Sequence, residues 1–139
     1  PAIIEAFQTA YPNVDDENAS RVDAMLRAPL RKITAHKADQ GGAPAYSYVM
    51  TYGAPNSTHG FEIPLIFANT SSEHEAMSDI MSSVWAQFAR TGNPTIEGMP
   101  EWKPYTREEG ATMLLDLDSS LGYNHDEALL NLLKPGYNY

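Results

Sequence analysis

Between Ser72 and Pro94 the sequence spells out one amphipathic helix, and a helix with a single apolar face requires another element to cover it. Met77, Ile80, Met81, Val84, Trp85, Phe88 and Ala89 fall on one stripe at helical spacing. Ser72 and Glu75 have the spacing of a capping box, and Gly92 and Pro94 stop the pattern. The Met and aromatic members of the stripe read as core residues rather than as the lining of a cofactor site. The best strand in the sequence is Ala45 to Tyr52, where large residues (Tyr46, Tyr48, Met50, Tyr52) alternate with smaller ones (Ala45, Ser47, Val49, Thr51). With 139 residues, 42% of them apolar, residues 1–139 are expected to form one unit.

The remaining pattern adds further helices and one more strand along the chain. Ala2 to Tyr11 reads as a short helix ended by Pro12, with Ile3, Phe7 and Ala10 at helical spacing. Ser20 begins a second helical pattern through Val22, Met25 and Leu26, and Pro29 is expected to open a further helix at its first position, continued by Leu30, Ile33 and Lys37. Gly41-Gly42-Ala43-Pro44 is a stop. In Ile63-Pro64-Leu65-Ile66-Phe67 the proline argues against a central strand. Thr112 to Leu117 reads as another strand and Asp126 to Leu133 as a last short helix.

Several function classes drop out on chemistry. Eighteen acidic against nine basic residues give a net charge of −9, which repels phosphate backbones, so no nucleic-acid partner is expected. No apolar run is long enough to cross a bilayer, and no membrane partner is expected. There are no cysteines, hence no disulfide scaffold and no thiolate nucleophile, and a reducing, cytoplasmic location is expected. The chain opens at Pro1, inside a helical pattern and without a Met, and is therefore expected to be a piece of a longer protein. No two glycines stand four apart, so the Gly-x-Ser-x-Gly turn that displays a serine nucleophile is absent, as are a phosphate loop and a His-x-x-x-His zinc helix. No cofactor and no metal are expected.

Of the four histidines, His36 lies late in a helix, where a cation suits the dipole, and His74 and His125 read as surface residues. His59 differs, because it follows the strongest strand by one loop, Gly53 to Thr58, and precedes Gly60, which permits an unusual dihedral. Loops beyond the carboxyl ends of strands are where α/β folds collect catalytic groups.

His59-Gly60-Phe61-Glu62-Ile63-Pro64-Leu65-Ile66-Phe67 resembles the block around the catalytic histidine of type-B carboxylesterases, the family of liver-type carboxylesterases, cholinesterases and bacterial para-nitrobenzyl esterases. Tyr11-Pro12, Val22-Asp23, Arg27-Ala28-Pro29 and Pro44 to Tyr52 look like the family's preceding blocks in order. Trp85 to Pro94 is similar to its late helix and turn, and Trp102-Lys103-Pro104-Tyr105 to its Trp-Pro-x-Tyr block with one residue inserted.

The resemblance implies an α/β fold, specifically the C-terminal part of an α/β-hydrolase: late strands of a mostly parallel sheet plus packing helices, incomplete on its own. It implies a Ser, Glu or Asp, His order, with serine and acid upstream of Pro1 and His59 the catalytic histidine. Glu62 is then a residue that braces the histidine loop rather than the triad acid. The expected substrate is a small carboxylic ester, and the expected partner the N-terminal remainder of the same esterase, or a second copy paired through the exposed sheet edge. A different reading from the same resemblance is a non-catalytic, cholinesterase-like adhesion protein.

Overall fold

In the computed structural model, which describes residues 1–138, the chain forms α1 (Ala2–Ala10), α2 (Ala24–Asp39), β1 (Ser47–Met50), α3 (Glu62–Ile66), α4 (Glu75–Thr91), β2 (Ala111–Leu115), β3 (Ser120–Tyr123) and α5 (Glu127–Leu133), with 3-10 turns over Asp16–Arg21 and Ser72–His74. The three strands make one sheet in the order β1-β2-β3. Ser47 to Met50 run parallel to Thr112 to Leu115, and β3 folds back antiparallel with Leu121 opposite Met113.

The apolar stripe of α4 lies on one face of this sheet. Met77, Met81 and Val84 are buried with Leu65 of α3, Trp102, Met113 and Leu115, and Tyr46, Tyr48, Met50 and Tyr52 of the β1 segment pack against them. Each such aliphatic side chain withdrawn from water stabilises the fold by about 1.5–3 kcal/mol. Two polar contacts fix the packing: Trp102 Nε1 donates to the Ser47 carbonyl at 3.2 Å, and Ser78 Oγ donates to the Leu65 carbonyl at 2.9 Å, joining α4 to α3. Gly92 ends α4 in the left-handed conformation at φ 73°, its N–H bonded to the Phe88 carbonyl.

Some expectations are corrected. Ser72 makes no side-chain cap; the 3-10 turn tightens the entry to α4 and His74 becomes the N-cap residue. Pro29 does not open a helix but lies inside α2, which begins at Ala24 with the Asp23 carboxylate accepting from the Leu26 N–H at 3.1 Å. The interruption costs about 3 kcal/mol on propensity, but burial of Ala28, Arg31 and Ala35 holds the helix together across it. The second strand stops at Leu115 rather than Leu117, because the Asp116–Ser119 turn bonds the Asp116 N–H to Ser119 Oγ and returns the chain into β3, an element the residue pattern did not announce.

A second cluster joins α1, α5 and the Asp16–Arg21 turn through Phe7, Ala19 and Leu129. At its polar border Arg27 of α2 grips Asp126, Nε to Oδ2 at 2.6 Å and Nη2 to Oδ1 at 3.2 Å. The Asp126 carboxylate is 1% exposed, and such a buried charge left without its partner costs about 3–5 kcal/mol. Next to this pair His125 is half-buried, not at the surface where the sequence placed it. Tyr11 meets it edge to face at 5.0 Å, and among the described residues its buried Nε2 has no hydrogen-bond partner.

Burial is the largest influence on His125 and holds its pKa below the ordinary histidine value; the Asp126 charge opposes this and the Arg27 charge adds to it. The unfolded chain therefore takes up this proton at a higher pH than the folded chain. Well above about pH 6.5 both forms are neutral and His125 contributes no pH dependence. Below it, stability is lost as pH falls to the depressed folded value, at no more than about 1.4 kcal/mol per pH unit. Urea unfolding of the parent and His125→Phe at pH 7 and pH 5 should show a smaller acid loss in the variant. Equal losses would assign the acid sensitivity to other groups.

Candidate active site

β1 and β2 are parallel, so their carboxyl ends lie on the same side of the sheet, and the chain leaves β1 there into the loop that carries His59. The β1 segment is held to the end of β2 as it leaves: the N–H groups of Thr51 and Tyr52 both donate to the Leu115 carbonyl at 3.0 Å, and Thr51 Oγ1 donates to the same oxygen at 3.1 Å. The loop then folds on itself. The Asn56 and Ser57 N–H groups bond to the Gly53 carbonyl, and the Phe61 N–H bonds to the Thr58 carbonyl. Gly60 has φ 84°, a left-handed conformation in which a β-carbon is strained, and it turns the chain directly into α3.

His59 is exposed, and among the described residues no hydrogen bond reaches its imidazole. Glu62, three residues on, is the first residue of α3 and half-buried. Its Oε1 accepts from the Tyr48 hydroxyl at 3.3 Å, tying the start of α3 to β1, and no bond among the described residues joins it to His59. Burial, then the Glu62 charge and this hydrogen bond, push the Tyr48 hydroxyl up to about 12. Tyr48 is thus a fixed donor at neutral pH.

The other histidines sit elsewhere. His36 is exposed near the end of α2, as its place in the sequence suggested. His74 is half-buried, with Nδ1 3.0 Å from Tyr52 Oη, a partnership that its position in the first turn of a helix did not reveal. An apolar groove of about 290 Å³ lies between β1 and α4, bordered by Tyr46, Tyr48, Trp85, Phe88 and Trp102. A larger, open hollow of about 630 Å³ is bordered by Gln8 and the 12–17 segment. Neither includes His59 or Glu62, so the imidazole stands at an open surface. Among the described residues no cluster of three His, Asp or Glu side chains could hold a metal ion, and no helix is long and apolar enough to cross a membrane.

An imidazole beyond the carboxyl end of a parallel strand stands where α/β folds collect catalytic groups, and an imidazole can accept a proton. Comparison with known proteins places the chain in a family. Residues 12–131 match the family model described as the carboxylesterase family. Liver carboxylesterase of Sus scrofa is 35% identical over 104 residues, 63% of this chain and 18% of its own length. Cocaine esterase of Homo sapiens is 36% identical over 118 residues, 72% of this chain and 21% of its own. Among solved structures, an esterase from the anaerobe Clostridium hathewayi, described as able to hydrolyse aliphatic aromatic polyesters, superimposes with a TM-score of 0.82 at 28% identity over 95% of this chain and 29% of that one. A PNB esterase gives 0.51 at 27% identity over 58% and 19%. The chain thus spans about a fifth of the curated relatives it matches. It belongs to the carboxylesterase family, and its sheet and helices are a part of the α/β-hydrolase fold.

Proposed function

We propose that this chain supplies the histidine of a serine carboxylesterase, His59, to a nucleophile and an acid carried by another part of the polypeptide. The observation that carries the reading is topological. Of the four imidazoles, His59 alone is both exposed and placed on the loop beyond the carboxyl end of a parallel strand. In such a site the imidazole accepts the serine proton as the ester carbonyl is attacked and then gives it to the departing alcohol, and the acyl-enzyme is hydrolysed by the same cycle with water. Glu62 acts through Tyr48, by holding the start of α3 where the loop ends. The Clostridium hathewayi neighbour also cleaves esters, so the bond class agrees.

The partner this reading requires is the remainder of the esterase. Two surfaces are suited to receive it. Among the described residues β1 pairs only with β2, which leaves one edge open, and α2 exposes Met25 (69%), Leu30 (53%) and Ile33 (64%). The chain by itself has the same surfaces available to a second copy.

Three outcomes are expected. The isolated chain should hydrolyse an activated short-chain ester no faster than free imidazole; a faster rate abolished by a serine-directed phosphonate would reveal a nucleophile within these residues. In the complete polypeptide His59→Ala should lower turnover by several orders of magnitude, whereas a loss under about tenfold is too small for a general base. A complete polypeptide without esterase activity would favour the adhesion-type reading. Sedimentation of the isolated chain over a hundredfold concentration range should show self-association. A monomer at every concentration would show that the β1 edge and the α2 face need no partner.

A further inference from the structure

The loop that carries His59 has little of its own to hold it to the protein. Among the described residues no side chain from Gly53 to Gly60 makes a hydrogen bond, and its backbone bonds join it chiefly to itself. Its position therefore depends on its two ends, Tyr52 and Phe61, and both pack on one residue, His74. Tyr52 Oη lies 3.0 Å from His74 Nδ1. The Tyr52 and Phe61 rings meet the His74 ring edge to face at 5.8 Å and 5.7 Å and lie 6.4 Å from each other. Phe61 also closes the base of the loop from inside: a β-carbon on Gly53 would stand 3.4 Å from its ring.

His74 can serve as this anchor because it is the N-cap residue of α4, seated on the helix whose stripe forms the core. Its backbone N–H is bound to the Ser71 carbonyl, so the ring projects from a fixed turn. An edge-to-face contact between rings contributes about 0.5–1.5 kcal/mol beyond burial, and a net hydrogen bond about 0.5–1.5 kcal/mol. The three contacts are modest individually, but they bear on the two points where an otherwise unsupported loop meets the fold. A reacting group displaced by about 1 Å can lose up to about a hundredfold in rate.

We propose that His74 is a positioning residue for ester hydrolysis, clamping Tyr52 and Phe61 together so that the loop between them holds His59 in place. This rests on the reading of His59 as the base. His74 touches no reacting atom; it acts through the two aromatic residues.

The test uses the complete polypeptide and separates the hydrogen bond from the rings. His74→Ala removes both and should lower kcat by about ten- to a hundredfold with KM within about twofold. Tyr52→Phe removes only the hydroxyl and, as the milder change, should lower kcat by a smaller factor with the melting temperature retained. His74→Asn places an amide near the position of Nδ1 and should recover part of the loss in His74→Ala. A kcat within twofold of the parent in both His74→Ala and Tyr52→Phe, with His59→Ala inactive, would overturn the clamp. Retained activity in His59→Ala would instead remove the base assignment beneath it. The clamp is then read directly by nitrogen NMR of the histidine rings: the His74 Nδ1 resonance should move on Tyr52→Phe, and an unmoved resonance overturns the proposal whatever the activity.

Discussion

The packing of α4 on the sheet sets the position of the residues around the His59 loop. Met77, Met81 and Val84 insert against Met113, Leu115 and Trp102, and interiors packed at crystal-like density leave such side chains little freedom to slide. The helix axis is thereby fixed relative to β1, and with it the N-terminal turn that bears His74. The Ser78 bond to Leu65 extends the same constraint to α3. The carboxyl end of β1, the start of α3 and the start of α4 thus converge because one apolar stripe has one way to be buried. The His59 loop spans the gap between the first two.

Within that convergence, polar and aromatic contacts are divided between the two sides of the loop. Tyr48 and Glu62 link β1 to α3 by a hydrogen bond to a charged acceptor. Tyr52, Phe61 and His74 link the loop ends to α4 through rings and a single hydrogen bond. Tyr48 lies in β1 and Tyr52 in the turn that follows it, yet both pack against the same core cluster, so one short stretch of chain reaches both helices. The alternation of large and small residues in Ala45 to Tyr52 is therefore more than a core pattern. It also brings Tyr48 to Glu62 and Tyr52 to His74.

Much of this was legible in the sequence where periodicity is strong and the consequence of a residue is local. The stripe on α4, the alternation leading into β1 and the flexible glycine after His59 each follow from steric rules that act within a few residues. Pro29 misled because its cost of about 3 kcal/mol is local, whereas the burial of Ala28, Arg31 and Ala35 that outweighs it is not. Ser72 had the right spacing for a capping box, but a 3-10 turn took up its place and left the cap to His74. β3 is four residues, Ser-Leu-Gly-Tyr, too short and too mixed for a period to show, and it exists because β2 offers it an edge. The ion pair of Arg27 with Asp126 joins residues 99 positions apart, a separation no local pattern can encode.

The four histidines show what such reasoning can and cannot reach. The same imidazole is exposed on a helix at His36, exposed on a strand-end loop at His59, bonded to a tyrosine at His74 and, among the described residues, half-buried without a partner for Nε2 at His125. The surroundings of the last two come from distant segments: Tyr11 and Arg27 for His125, Tyr52 and Phe61 for His74. Position relative to a strand end depends only on the residues immediately before it. The place of His59 on a loop just past a strand could therefore be read from neighbouring residues, whereas the contacts proposed to hold that loop, through His74, could not.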